Sequence, residues 1–135
     1  MSMSSTSVYL IVFACLNGLV AVIASSLAAH GIENIAPTGG QAIDWFHDAG
    51  DFQMKMALCI ILAALLYDRV GEGISQKLLL AAGILFSCGI LFFSGALYSL
   101  SFEGPGIFAP FGGLSAMTGF VFLSVGVISA RTRSS

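Results

Sequence analysis

Hydrophobic residues fill four long runs of the chain, 8–29, 52–67, 78–100 and 111–130, and nearly every charged residue falls in the gaps between them. A hydrocarbon core about 30 Å thick is crossed by roughly 20 mainly apolar helical residues, so each run is read as a transmembrane helix. The second run is short for a span and opens with Gln53 and Lys55, which moves its expected helix start back to about Ala42. Over that extension Asp44, Asp48, Asp51 and Lys55 recur at three- and four-residue steps as one polar stripe, with Ile43, Phe46, Ala49 and Met56 on other faces. Asp51 precedes Lys55 by four residues, the favourable order for an intrahelical ion pair. The pattern predicts an all-α fold: one integral membrane four-helix bundle over 1–135, with helices at about 8–29, 42–67, 78–100 and 110–130.

Small residues are spaced to let helices approach. Ala14, Gly18, Ala21, Ser25 and Ala28 mark a stripe on the first helix, and Gly112, Ala116, Gly119, Gly126 and Ala130 mark one on the fourth. In lipid no hydrophobic force separates helix from acyl chain, so close packing along such stripes drives association. Gly18, Gly95, Gly119 and Gly126 are therefore candidate helix-packing positions, and Gly83, Ser87 and Ser94 thin the third helix in the same way. Ala36-Pro37-Thr38-Gly39-Gly40 and Ala109-Pro110-Phe111-Gly112-Gly113 echo each other, a recurrence read as chance in a chain this rich in Gly and Ala.

Charge then sets an orientation. With four crossings, the N-terminus, the connection from Asp68 to Lys77 and the C-terminal tail share a side. That side holds Arg69, Lys77, Arg131 and Arg133, four of the five basic residues. The opposite loops carry Glu33, Asp44, Asp48, Asp51 and Glu103. Lys and Arg in short loops mark the cytoplasmic face, so both termini are expected to be cytoplasmic. Tyr9 and Tyr67 fall at the inner helix ends, and Trp45 and Tyr98 near the outer ones, at the expected headgroup levels.

Composition agrees, at 57% hydrophobic and 9% charged, outside the soluble globular range. A net charge of −2 with no basic cluster excludes nucleic-acid binding. Cys15, Cys59 and Cys88 fall in three different runs without CxxC spacing and read as packing residues. Ser26-Leu27-Ala28 mimics a signal-peptidase site, but no basic segment precedes the run, which is expected to remain as a membrane helix.

Polar groups inside spans are functional candidates. Asn17, mid-helix beside Gly18, offers an amide that can bond across to another helix. His30 ends the first helix at the depth of Asp51 and Lys55, and a histidine beside carboxylates titrates near neutral pH. Asp44, His47, Asp48 and Asp51 present three carboxylates and an imidazole, donors that cations accept, although a solvated acidic face has the same composition. With no HExxH pattern and no second cluster, no metal or cofactor is expected. Ser94-Gly95 lacks the GxSxG pattern of a nucleophile elbow, and no catalytic residue is assigned.

Ser25-Ser26-Leu27-Ala28-Ala29-His30, Gly50-Asp51-Phe52-Gln53, Phe93-Ser94-Gly95-Ala96-Leu97-Tyr98 and Ala109-Pro110-Phe111-Gly112-Gly113 with Gly119 follow one another in order. Together they resemble the signatures of the domain of unknown function 423 family of small membrane proteins. The chain departs from that pattern at Met56, where a histidine is expected, and at Asp51-Phe52, which stands for an acidic-aromatic Glu-Tyr pair. The resemblance implies a four-helix membrane fold in a bacterial inner membrane, and no reaction. The first functional expectation is a noncatalytic membrane component, either an accessory or structural subunit of a larger membrane protein complex or a self-associating bundle, in contact with membrane lipid. The alternative is a small carrier or channel with an outer polar gate of His30, Asp51 and Lys55. A membrane enzyme or lipid-binding protein using the acidic stripe is the third.

Overall fold

Backbone amides and carbonyls in lipid must bond to one another, which a helix achieves within a single segment. The computed structural model describes residues 2–133, the side chain of Arg133 excepted. Its four long helices are the first, Ser5–His30, the second, Gln41–Arg69, the third, Ile74–Ser101, and the fourth, Ala109–Arg133. Each is long and apolar enough to cross a membrane, and the chain is a multi-pass membrane helical bundle. The helices extend slightly beyond their expected bounds, most at the start of the third.

Local signals set the ends. The Ser4 side chain accepts from the Ser7 N–H and caps the first helix. Gly31 closes it in the left-handed region at φ 119, with its N–H on the Leu27 carbonyl. Pro110 lies in the first turn of the fourth helix, where its missing N–H leaves no intrahelical bond unmade. The two Ala-Pro-x-Gly-Gly segments differ in structure, since residues 36–40 form turns ahead of the second helix and residues 109–113 are already helical.

The second and third helices are central, the first packs on the second, and the fourth packs mainly on the third. Burial follows: 44% and 39% of the apolar windows of the central pair are buried, against 17% and 22% for the first and fourth. The small-residue stripes turn inward. Ala14, Ala21 and Ala28 are buried, as are Ala116 and the glycines at 112, 119 and 126. A Cβ at Gly119 would stand 2.9 Å from the Phe86 ring, and one at Gly126 3.1 Å from Leu79, so both glycines serve the seam between the third and fourth helices. Gly18 is looser, with only Met54 Sδ at 3.9 Å. Gly95 departs from its expected role: it is exposed, and a Cβ there would meet nothing within 4 Å. The helix positions facing the core near Gly95 are taken by Ser94 and Ala96 instead.

A π-helical turn, Ile90–Ser94, interrupts the third helix. The widened turn lies where neighbours come closest. A Cβ at Gly112 would collide with Phe93 N and stand 2.9 Å from Gly89 O, both backbone atoms. Phe52 of the second helix stacks on Phe93, ring centroids 4.4 Å apart.

The start of the first helix, the end of the second and the last turns of the fourth share one end of the bundle. Ser4 N–H donates to Asp68 Oδ2 at 3.2 Å, and Arg69 and Arg131 line a shared recess. The side chain of Arg133, counted among the basic residues of that side, is outside the described residues.

Candidate functional site

Hydroxyl-to-carbonyl bonds cross each sequential helix interface. Ser7 Oγ donates to Ala64 O at 3.0 Å, Ser94 Oγ to Ala49 O at 2.9 Å, and Ser115 Oγ to Leu85 O at 2.7 Å. A small side chain carrying a hydroxyl lets two backbones approach and supplies a bond where they meet.

Between the first three helices lies a longer chain of polar groups. Tyr98 Oη donates to Gln53 Oε1 at 2.7 Å, Gln53 Nε2 donates to Asn17 Oδ1 at 2.8 Å, and Asn17 Nδ2 donates to Phe13 O at 2.9 Å. Gln53 is 4% exposed, which leaves its amide no access to water and makes these partners obligatory. The donors all point one way, from the phenol through two amides to a backbone carbonyl. Amides do not titrate near neutral pH, so this chain clamps three helices and does not relay protons.

Asn17 thus bonds across to another helix, as its position predicts. Its partner Gln53 was not singled out as a buried residue from the sequence. The available signal is angular: Gln53 lies two residues from Asp51, about 200° around a helix, and so opposite the charged stripe. Tyr98, expected at headgroup level, turns its hydroxyl inward to Gln53, while its ring packs edge-on against Phe46 at 5.0 Å. A phenol suits that place, with its ring against an apolar neighbour and its hydroxyl on a buried acceptor.

The expected outer gate is divided. Asp51 and Lys55 form the i,i+4 ion pair on the outside of the second helix, with side chains 53% and 66% exposed. His30 lies across the first–second helix seam, where it lines a groove of about 430 Å³ with Ser25, Ser26, His47, Gly50 and Asp51. Lys55 lines a separate recess with Asp48, Phe52 and Phe93. The groove and the recess therefore share Asp51 alone among these three gate residues. His47 Nδ1 approaches Asp48 Oδ1 at 3.4 Å, both groups exposed. Among the described residues no three His, Cys, Asp or Glu side chains are grouped to hold a metal ion.

The segments that carry the family resemblance meet in this layer. Gly50 packs against Ala21 O and Ser25 Oγ, Gln53 holds Tyr98, Ser94 holds the Ala49 carbonyl, and Gly112 seats on the π-helical turn. No curated protein and no solved structure matches the chain. The family described as protein of unknown function (DUF423) matches residues 24–113, from the end of the first helix to the first turns of the fourth. That stretch holds Gln53, Ser94, Tyr98 and Gly112 and covers more than half of the sequence, and the chain belongs to the DUF423 family.

Proposed function

We propose that the chain is a noncatalytic component of a bacterial inner membrane, with both termini cytoplasmic, and that it serves as an accessory or structural subunit of a larger membrane protein complex. The observation that carries this reading is the Tyr98–Gln53–Asn17 clamp. The polar groups of this clamp hold helices together and end on a backbone carbonyl, with no His, Asp, Glu, Lys or Arg among them. The flanking helices present the surface that a partner would meet and that lipid covers otherwise. Leu114, Met117, Val121, Val125 and Ile128 form one exposed apolar stripe on the fourth helix, and Leu16, Leu19 and Ile23 are exposed on the first. The small residues at 14, 21, 28, 112, 116, 119 and 126 do not bear on a partner, because they are buried within the chain.

Extraction of the tagged protein from its native membrane in mild detergent, followed by mass spectrometry, tests the reading. A membrane protein retained in constant stoichiometry is the expected result. A lone monomer with no retained partner would instead advance the second reading, a small carrier, which the groove beside His30, His47 and Asp51 favours.

A further inference from the structure

At the end of the bundle that holds the connection between the second and third helices, a recess of about 570 Å³ is lined by Arg69, Val70, Gly71, Glu72, Ser75, Ala130 and Arg131. It opens at the N-terminus of the third helix, a 28-residue helix whose start has no side-chain cap, because Gly73 occupies the N-cap position. First-turn amides of a helix point outward with unmet donors, and the helix dipole adds partial positive charge at the same place. Ser75, in that first turn, is 1% exposed, and its Oγ has no hydrogen-bond partner. A buried hydroxyl without a partner is rare and points to a group that is missing from the site. Two guanidiniums from different elements, Arg69 at the end of the second helix and Arg131 on the fourth, complete the lining. Glu72 is the carboxylate among the lining residues, and both it and Arg131 also take part in interactions within the chain.

From this arrangement we infer that the recess binds a phosphate group, with the third-helix amides and Ser75 Oγ as neutral donors and Arg69 as the charged one. Helix N-termini bind such anions through their N–H groups, guanidiniums match phosphate oxygens in pairs, and basic recesses between membrane helices take anionic headgroups. The position at the membrane edge makes the phosphodiester of an anionic phospholipid the first source, and free phosphate the second. The inference holds whichever leaflet this end faces, and whether or not the chain has a protein partner.

The test uses the full-length protein in neutral detergent, with thermal unfolding followed against added phosphatidylglycerol, phosphatidylcholine or inorganic phosphate. Phosphatidylglycerol should raise the melting temperature more than phosphatidylcholine does. Ser75→Ala and Arg69→Gln should each need about tenfold more phosphatidylglycerol for the same shift, the effect of losing one hydrogen bond to a charged group. Without any probe, Ser75→Ala should melt no lower than the unmodified protein, because it removes an unsatisfied hydroxyl. That sign separates a binding role from a packing role. A matching response to inorganic phosphate, weakened by the same variants, would assign the site to free phosphate as well. The inference is overturned if none of the three probes shifts the melt, or if both variants respond as the unmodified protein does.

Discussion

Replacing Gln53 with Met keeps the length of the side chain and removes both of its hydrogen bonds, to Tyr98 Oη and to Asn17 Oδ1. Interhelical bonds of this kind contribute on average about 0.6 kcal/mol each in membrane proteins, so the two together contribute about 1.2 kcal/mol. The groups left behind raise the loss. Tyr98 Oη keeps a proton to donate in a half-buried site, and an unsatisfied buried donor costs about 1–3 kcal/mol. Gln53→Met should therefore lower stability by about 1–3 kcal/mol, and Tyr98→Phe by about 1 kcal/mol. The decisive quantity is their coupling. Once Met stands at position 53, Tyr98 Oη has nothing to donate to, so adding Tyr98→Phe should recover part of the loss, a coupling of at least about 1 kcal/mol. Reversible unfolding in mixed detergent micelles, followed by circular dichroism for the four proteins of the cycle, measures it. Additive losses within about 0.3 kcal/mol would refute the clamp.

Gly112→Ala should destabilise by about 2–3 kcal/mol, because the new methyl meets backbone atoms of the π-helical turn that no rotamer change can move. Gly95→Ala, in open space on a helix, should be neutral or stabilising by about 0.5–1 kcal/mol, and the same unfolding assay compares the two. A double-mutant cycle on Asp51 and Lys55, using Asp51→Asn and Lys55→Met, should give a coupling of no more than about 0.5 kcal/mol, since more than half of each side chain is exposed. A larger value would mean that lipid excludes water from the pair. Reporter fusions after Ser135 should be active as cytoplasmic reporters and silent as periplasmic ones, following the placement of Arg69, Lys77 and Arg131.

The spans were legible because lipid makes a simple demand, an unbroken run of apolar residues, and the sequence meets it four times. The extended start of the second helix was also legible, from the period of Asp44, Asp48, Asp51 and Lys55. Asn17 was recognised because an amide inside an apolar run is conspicuous. Gln53 was not, because neighbouring charges made its stretch look like a helix still emerging into water. Tyr98 lies near the end of the third helix, as read from the sequence, but the partner of its hydroxyl was not legible: position along the helix gives depth, whereas the direction of a hydroxyl depends on what the next helix offers. Residues 90–94 contain nothing that announces a π-helical turn, and the neighbours it lies against, Gly112 and Phe52, are brought near only by the tertiary fold. Gly95 shows the converse, where a small residue in a packing-rich helix falls on the outer face.

The claim that the chain is a subunit of a larger complex is tested most directly on its uncovered apolar stripe. A photo-reactive amino acid at Met117 or Val121, both exposed on the fourth helix, would be activated in the native membrane, with Ala116, buried on the inner face of the same helix, as the internal control. The subunit reading predicts one discrete protein adduct from Met117 and Val121 and none from Ala116. Adducts with lipid alone at both exposed positions would contradict it.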